Sequence, residues 1–228
     1  MCSAEKNNIS FRSTLPFLIP ALLLLSCLGV ALLCIPKGEL HLLLCQPHTL
    51  WLDAIVPTFS NLVDWLPYLT VVVLLFYRAG WSVFLASNLL LSTLIVQPIK
   101  HLLRAPRPLV WFADNMPDAV LPIVDGVKMN HWYSFPSGHT TTFFVLFFTL
   151  SLVVMNSKLR GKKFYSIVFF LLAVFGAYTR IYLSQHFAVD IFGGILVAIT
   201  TTLLLYFFYA KRLQNTRFWH WNPQKLKK

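Results

Sequence analysis

The sequence predicts an all-α integral membrane protein, a bundle of six transmembrane helices forming a single domain over residues 1–228. Hydrophobic residues make up 57% of the chain and charged residues 12%, against about 25% charged residues in soluble domains. The mean hydropathy is +0.67. Because the apolar residues also fall in long runs separated by short polar segments, a soluble globular enzyme is excluded.

Six apolar runs are long enough to be assigned as spans, over residues 15–35, 60–77, 81–99, 138–155, 164–183 and 187–209. A span needs about 20 residues, so the second and fourth apolar runs, Leu62–Tyr77 and Thr140–Met155, must include flanking residues, and their bounds above do so. Residues 51–60 are predicted to form a short helix at the interface, and residues 109–135 an irregular loop that faces the substrate. A cleaved signal peptide fits the first run less well, because the run continues past Cys27 to Ile35.

The distribution of Lys and Arg predicts the orientation, because cytoplasmic loops are enriched in positive charge. With the N-terminus inside, thirteen of the 19 Lys and Arg residues lie on the cytoplasmic side and six on the other side. We therefore expect both termini in the cytoplasm. The net charge of +11 then reflects orientation and contact with lipid headgroups, and the tail over residues 211–228 is predicted to be an interfacial anchor. Nucleic-acid binding by this tail is the less favoured alternative.

The first polar motif lies where the third span ends and contains Lys100 and Arg107-Pro108. Pro106 and Pro108 stop the helix, so Lys100 projects from its last turns while Arg107 lies on the bend. Two cations can then approach one anion from different directions. Taken alone, a basic residue here could equally mark the membrane boundary.

The second motif, Pro136-Ser137-Gly138-His139, precedes the fourth span. Ser137 can cap that helix, and the amides and dipole of a helix start favour an anion. Gly138 allows close approach of a phosphate to the backbone. His139 would lie in the first turn, where it can donate a proton to a leaving oxygen. An ordinary capped helix with an interfacial histidine is the alternative.

The third motif joins the end of the fifth span, at Arg180, to the start of the sixth, at His186 and Asp190. The last two are four residues apart and share one helix face. Asp190 lies in an apolar run, where an ionisable residue is usually paired and functional. A carboxylate on one imidazole nitrogen leaves the other nitrogen free to attack phosphorus. Zinc could bind at this spacing, but nearby Lys and Arg would repel it, so no metal or other cofactor is predicted.

These motifs resemble those of the type 2 phosphatidic acid phosphatase superfamily, which includes bacterial lipid phosphatases and is related to vanadium haloperoxidases. The family pattern is a lysine separated by six residues from Arg-Pro, then Pro-Ser-Gly-His, then Ser-Arg followed by His and Asp. The chain matches at Lys100, Arg107-Pro108, 136–139, Arg180, His186 and Asp190. It departs only at Thr179, which replaces the family's serine and keeps a hydroxyl.

The resemblance implies a phosphohistidine mechanism that vanadate inhibits. His186 is the expected nucleophile, Asp190 orients it, and His139 protonates the leaving oxygen. The expected phosphate-binding groups are Lys100, Arg107, Ser137, Arg180 and the Gly138 amide.

The expected substrate is a membrane lipid phosphate, because four helix ends bring the motifs to one membrane depth at the outer face. By resemblance to bacterial members, the candidates are undecaprenyl pyrophosphate, lipid A, phosphatidylglycerophosphate and phosphatidic acid. The first two are favoured because they are processed on the periplasmic side of the inner membrane. Three alternatives stay open: a lipid phosphotransferase, a non-catalytic lipid carrier, and vanadate-dependent halide oxidation, against which the spans argue.

Overall fold

The computed structural model describes residues 10–46 and 48–212, so the predicted tail anchor lies almost entirely outside the described residues. Over this part of the chain the fold is all-helical, as predicted, and contains no strand. Its α-helices are α1 (Leu15–Cys34), α2 (Lys37–Cys45), α3 (Leu50–Asn61), α4 (Leu66–Tyr77), α5 (Ala79–Leu103), α6 (Pro108–Asn115), α7 (Gly138–Met155), α8 (Lys162–Tyr182) and α9 (Ala188–Arg212).

Within the described residues, five stretches are long and apolar enough to cross a membrane, on α1, on α5 with α6, and on α7, α8 and α9. The predicted second span is not a straight helix. Instead, α3 and α4 are separated by a short 3₁₀ turn and bent by 53°, and together they provide a sixth span if the bent pair is counted as one. The break follows from Trp65, whose φ of −135° is not helical, and from Pro67 in the first turn of α4.

The central helix of the bundle is α7, which packs against α8 and α9. Phe143, Phe144 and Leu146 on this helix are fully buried. A Cβ at Gly176 of α8 would lie 2.5 Å from the ring of Phe143, so the glycine allows α7 and α8 to approach closely. This packing fixes the position of the N-terminus of α7, where the second motif lies.

The connections between spans hold more helix than the sequence predicts. The start of the predicted irregular loop forms α6, with Pro108 at its first position, where a missing N–H is tolerated. Helix α2 was also not predicted. The predicted helix over 51–60 is confirmed as α3, capped by the Thr49 hydroxyl. As expected from Pro106, α5 ends before it, with Arg104 in the left-handed region at φ 44°.

Candidate active site

The structure brings the second and third motifs into direct contact. The Ser137 N–H donates to the Asp190 carbonyl at 3.0 Å, which ties the start of α7 to the first turn of α9. A Cβ at Gly194 would lie 2.7 Å from the Ser137 carbonyl oxygen, so a side chain there would push the two helices apart. The His186 N–H donates to the Arg180 carbonyl at 3.0 Å, which folds the chain back between α8 and α9.

His186 and Asp190 form a buried pair, with 1% and 2% of their surfaces exposed. His186 Nδ1 lies 3.3 Å from Asp190 Oδ2. The same oxygen accepts hydrogen bonds from the Phe187 N–H at 2.8 Å and from the Ser134 hydroxyl at 2.5 Å. Because the carboxylate engages Nδ1, the other ring nitrogen, Nε2, is left without a carboxylate partner.

The surroundings of His186 favour its neutral form. Burial, followed by the positive charges of Arg107, Arg180 and Lys100, lowers the pKa of His186 well below its ordinary value. An imidazole in this setting keeps a lone pair at neutral pH, which nucleophilic attack requires. All three predicted cations therefore lie within electrostatic range of His186.

Main-chain carbonyls hold two of the three cations. Lys100 Nζ donates to the Tyr133 carbonyl at 2.7 Å, and Arg107 Nε donates to the Trp132 carbonyl at 2.9 Å. Lys100 is buried although it carries a charge. A buried cation that has no carboxylate partner is stabilised when it binds an anion. The N–H groups of Lys100 and Arg107 that these two bonds do not use can donate to phosphate oxygens.

One nitrogen of the Arg180 guanidinium has a hydrogen-bond partner and another has none. Its Nη1 donates to the Ser60 hydroxyl on α3 at 2.7 Å. Its Nε is buried and has no hydrogen-bond partner. An orphaned buried N–H on a guanidinium is costly unless a ligand accepts from it, so this atom is a candidate contact for a phosphate oxygen.

The motif analysis missed Gln185, which organises the far side of the site. Its Oε1 accepts from Arg107 Nη1 at 3.0 Å and from Asn130 Nδ2 at 3.2 Å. Its Nε2 donates to the Lys128 carbonyl at 3.1 Å. Gln185 therefore connects the Arg107 guanidinium to the loop after α6, and its position next to His186 is the only signal in the sequence. Ser60 and Ser134 were also missed. Like those of Gln185, their partners are distant in sequence, so no local pattern marks these residues.

Ser137 caps α7, as predicted. Its Oγ accepts from the Thr140 N–H at 3.4 Å and from the Thr140 hydroxyl at 3.0 Å. The Lys100 side chain passes beside Gly138, since Lys100 Cε would lie 3.9 Å from a Cβ built there. The predicted phosphate ligands of the first and second motifs are thus neighbours. Thr179 uses its hydroxyl within α8, donating to the Gly176 carbonyl at 2.7 Å.

His139 lies between two cavities and lines both. One, of about 360 Å³, is also lined by Lys128, Asn130, Arg180 and Gln185. The other, of about 250 Å³, lies between α4, α5 and α7. Within the described residues, no three or more His, Cys, Asp or Glu side chains are grouped to hold a metal ion.

The helices are long and apolar enough to span a membrane. At their ends lies a buried His–Asp pair with a lysine and two arginines within electrostatic range. These features define a helical membrane protein with a site suited to phosphate. The sequence matches the model of the PAP2 superfamily over residues 81–214, which is more than half of the chain. The chain therefore belongs to the PAP2 superfamily, as the resemblance of its motifs indicates.

Among characterised relatives, the chain is similar to the lipid A 4'-phosphatase of Porphyromonas gingivalis, with 30% identity over 146 residues. That alignment covers 60% of this chain and 58% of the relative, so the chain spans little more than half of the relative's length.

Two crystal structures have a similar fold. LpxE of Aquifex aeolicus matches with a TM-score of 0.59 and 26% identity, over 74% of this chain and 93% of that chain. A transmembrane PAP2-type phosphatidylglycerolphosphate phosphatase of Bacillus subtilis matches with a TM-score of 0.53 and 19% identity, over 88% and 98%. At this identity the second structure shows the fold alone.

Proposed function

We propose that this protein is a metal-independent lipid phosphatase that removes a phosphate from a membrane lipid through a phosphohistidine on His186. The observation that carries the proposal is the buried His186–Asp190 pair, in which Asp190 engages Nδ1 and leaves Nε2 free among the charges of Lys100, Arg107 and Arg180. Phosphoryl transfer depends mainly on positioning and on stabilisation of negative charge, and these groups supply both.

The first half of the reaction transfers the phosphoryl group to the enzyme. The Nε2 lone pair of His186 attacks phosphorus, a P–N bond forms, and the P–O bond to the leaving group breaks. His139 donates a proton to the departing oxygen. Lys100, Arg107, Arg180, Ser137 and the Gly138 amide bind the non-bridging oxygens.

The second half regenerates the enzyme. A water molecule attacks the phosphohistidine, His139 takes a proton from that water, and the P–N bond breaks to release inorganic phosphate. Because His186 must be neutral and His139 protonated in the first half, activity should have a bell-shaped dependence on pH.

The proposed substrate is a lipid phosphate at headgroup depth: lipid A, undecaprenyl pyrophosphate, phosphatidylglycerophosphate or phosphatidic acid. The name of the Porphyromonas gingivalis relative supports lipid A. We place the protein in a bacterial inner membrane with both termini in the cytoplasm and the site facing the periplasm. The distribution of Lys and Arg along the chain supports this orientation.

The test is release of inorganic phosphate by the full-length protein in detergent, with EDTA present, from a panel of the four lipids. Wild-type protein should release phosphate from at least one lipid, vanadate should inhibit release, and His186→Ala should lower it by more than about a thousandfold, because the nucleophile is lost. A folded His186→Ala protein with wild-type activity would falsify the phosphohistidine. Accumulation of a phosphorylated acceptor in place of free phosphate would identify a phosphotransferase.

A further inference from the structure

A lysine outside the three motifs lies against the turn that carries His186 and Asp190. Lys37 is the first residue of α2, and its Nζ lies 3.9 Å from the centroid of the Phe187 ring and 5.1 Å from that of the Trp111 ring. An ammonium within about 6 Å of a ring centroid is attracted to the face of the ring. Because the rest of Lys37 is exposed, these two rings hold its charged end in place.

The rings that hold Lys37 are themselves fixed by the packing of α2 on α6. Trp111 and Phe187 meet edge to face, with 5.5 Å between their ring centroids, and Phe112 stacks on Phe187 at 6.3 Å. A Cβ at Gly38 would lie 2.9 Å from the Trp111 ring, so the two helices are in close contact at this point. The position of the Lys37 ammonium is therefore set by the fold and not by a free side chain.

Lys37 interacts electrostatically with the carboxylate of the catalytic pair. The Phe187 N–H donates to Asp190 Oδ2 at 2.8 Å, and the same oxygen lies 3.3 Å from His186 Nδ1. Partial burial lowers the pKa of Lys37, and the negative charge of Asp190 opposes that shift. The charge of Lys37 acts on the Asp190 carboxylate at least as strongly as that of Lys100 does. Lys37 thus approaches the pair from the side of Asp190.

Several elements present titratable groups to the pair, and the proposed reaction uses all of them except those of α2. The groups are Lys37 and His41 from α2, Lys100 from α5, Arg107 at the start of α6, His139 from α7 and Arg180 from α8. Burial lowers the pKa of His41 to about 4, so above that pH the positive charge that α2 presents to the pair is that of Lys37.

We propose that Lys37 is a positioning residue that acts through Asp190: its charge keeps an additional proton off the His186–Asp190 pair and so sets the acid limit of activity. This inference rests on the proposed phosphatase function and adds to it the control of the working pH range.

The physical reason is that the reaction requires a neutral imidazole held by an ionised carboxylate. A proton that binds to the pair removes either the lone pair of His186 or the charge of Asp190, and a positive charge nearby disfavours both events. Lysine becomes more completely protonated as the pH falls, so the repulsion is present on the acid side, where the pair is at risk.

The experiment measures kcat/KM for phosphate release as a function of pH, with the full chain, the best lipid of the panel, one detergent and constant ionic strength. Lys37→Met keeps most of the side-chain volume and removes the charge. It should move the acid-side midpoint of the profile up by about 0.5–1 pH unit, and should leave the basic-side midpoint in place and the maximum within about threefold. Lys37→Arg keeps the charge and should restore the wild-type midpoint. The titration of the lipid phosphate is the same for every variant, so it does not affect the comparison.

Lys163→Met is the matched control. It makes the same change at an exposed residue near the start of α8, at the other end of that helix from Arg180, and it should keep the wild-type profile. An unchanged acid-side midpoint in Lys37→Met overturns this inference. So does an equal loss of activity at every pH, because Lys37 would then only hold α2 on α6. Both results leave the phosphatase function in place, whereas absence of phosphate release by the wild type from every lipid overturns that function and this inference with it.

Discussion

One oxygen of Asp190 connects three parts of the site. Oδ2 accepts from the Ser134 hydroxyl and the Phe187 N–H, and it lies 3.3 Å from His186 Nδ1. Ser134 is also 3.5 Å from His186 Nδ1. With donors on two sides, the carboxylate cannot rotate without losing a hydrogen bond, so the orientation of the imidazole is fixed as well. Ser134 is therefore a positioning residue.

Replacing Ser134 by Ala should lower kcat by about ten- to a hundredfold with little change in KM. A hydrogen bond to a charged group contributes about 1.5–3 kcal/mol, and each 1.4 kcal/mol of barrier changes the rate about tenfold. The measurement is steady-state phosphate release from the best lipid of the panel.

Ser82→Ala is the control for this substitution. Ser82 is also buried, and its hydroxyl donates to the Val71 carbonyl at 2.7 Å, but it lies near the start of α5, at the other end of that helix from Lys100. It should keep the wild-type kcat. Equal losses in both variants would mean that Ser134 acts only through stability.

At the scale of helices, the active site depends on how closely α9 approaches the start of α7. A Cβ at Gly194 would meet the Ser137 carbonyl oxygen at 2.7 Å and the Thr140 side chain at 3.1 Å. The first of these atoms is backbone and cannot rotate away, so any side chain at this position must separate the helices. The hydrogen bond from the Ser137 N–H to the Asp190 carbonyl would lengthen in consequence.

We expect Gly194→Ala to lower the melting temperature and to lower kcat by at least about tenfold. Overpacking a dense core costs about 1–3 kcal/mol, and here the strain falls on the turn that presents Ser137, Gly138 and His139. Thermal unfolding in detergent and phosphate release measure the two effects.

Gly29→Ala, on α1, is the matched control, because a Cβ there would have only Phe192 near it, at 3.7 Å. That is an ordinary van der Waals distance, and Ala is favoured over Gly in a helix interior by about 1 kcal/mol. The control should be as stable as the wild type or more so. Wild-type stability and kcat in Gly194→Ala would contradict the role of this contact.

Helix α2 brings a buried histidine against the turn that carries the third motif. His41 is almost fully buried, and its Nε2 lies 3.5 Å from the Ser184 hydroxyl, while its Nδ1 has no hydrogen-bond partner. The pKa of His41 is lowered to about 4, mainly by burial; the negative charge of Asp190 opposes this shift and the positive charge of Lys37 adds to it. The folded protein therefore resists protonation of this ring.

The sign of the pH effect follows from this depressed pKa. Between pH 6.5 and about 4 the unfolded chain takes up a proton at His41 that the folded protein does not, so stability falls as the pH falls. The loss from this group reaches at most about 3 kcal/mol and stops below about pH 4. We expect the melting temperature of His41→Gln to fall less steeply than that of the wild type across this range.

His101→Gln, at an exposed position, is the control and should keep the wild-type slope. Melting temperatures at closely spaced pH values, in one detergent and at constant ionic strength, supply the comparison. Parallel curves for the wild type and His41→Gln would show that His41 does not cause the acid sensitivity.

For the whole molecule, the proposed orientation predicts which loops face the cytoplasm. The loop between α7 and α8 contains Arg160, and the connection between α6 and α7 contains Asp118; both residues are exposed. In a background with the four native cysteines replaced by Ala, Asp118→Cys should react with a membrane-impermeant maleimide in intact cells. Arg160→Cys should react only after permeabilisation, because the proposed orientation puts this loop on the cytoplasmic side.

Labelling of both variants after lysis is the control for reactivity. The reverse pattern would place the active site in the cytoplasm and would remove periplasmic lipids from the list of substrates. Labelling of both variants in intact cells would place both loops outside the cell, so that α7, which lies between them, would not cross the membrane; this would contradict the six-span arrangement.

The sequence by itself determined the class of the protein and the motif residues of its site. Long apolar runs predict membrane-spanning helices, because only a helix pairs all the backbone N–H and C=O groups of such a run within the bilayer. The motif spacing predicts His139, His186 and Asp190 as site residues without coordinates. The bend between α3 and α4 was not predicted, because Trp65 and Pro67 lie in a mostly apolar stretch whose hydropathy does not show where the helix breaks.

Only the tertiary structure decided which groups hold the motif residues in place. Ser134, Ser60 and Gln185 contact Asp190, Arg180 and Arg107 from elements up to 120 residues away in sequence, and no local pattern encodes such a contact. The two cavities beside His139 likewise exist only where separate helices meet. Hydropathy and motif spacing are local properties of a chain, whereas the partner of a buried polar group is set by packing between helices.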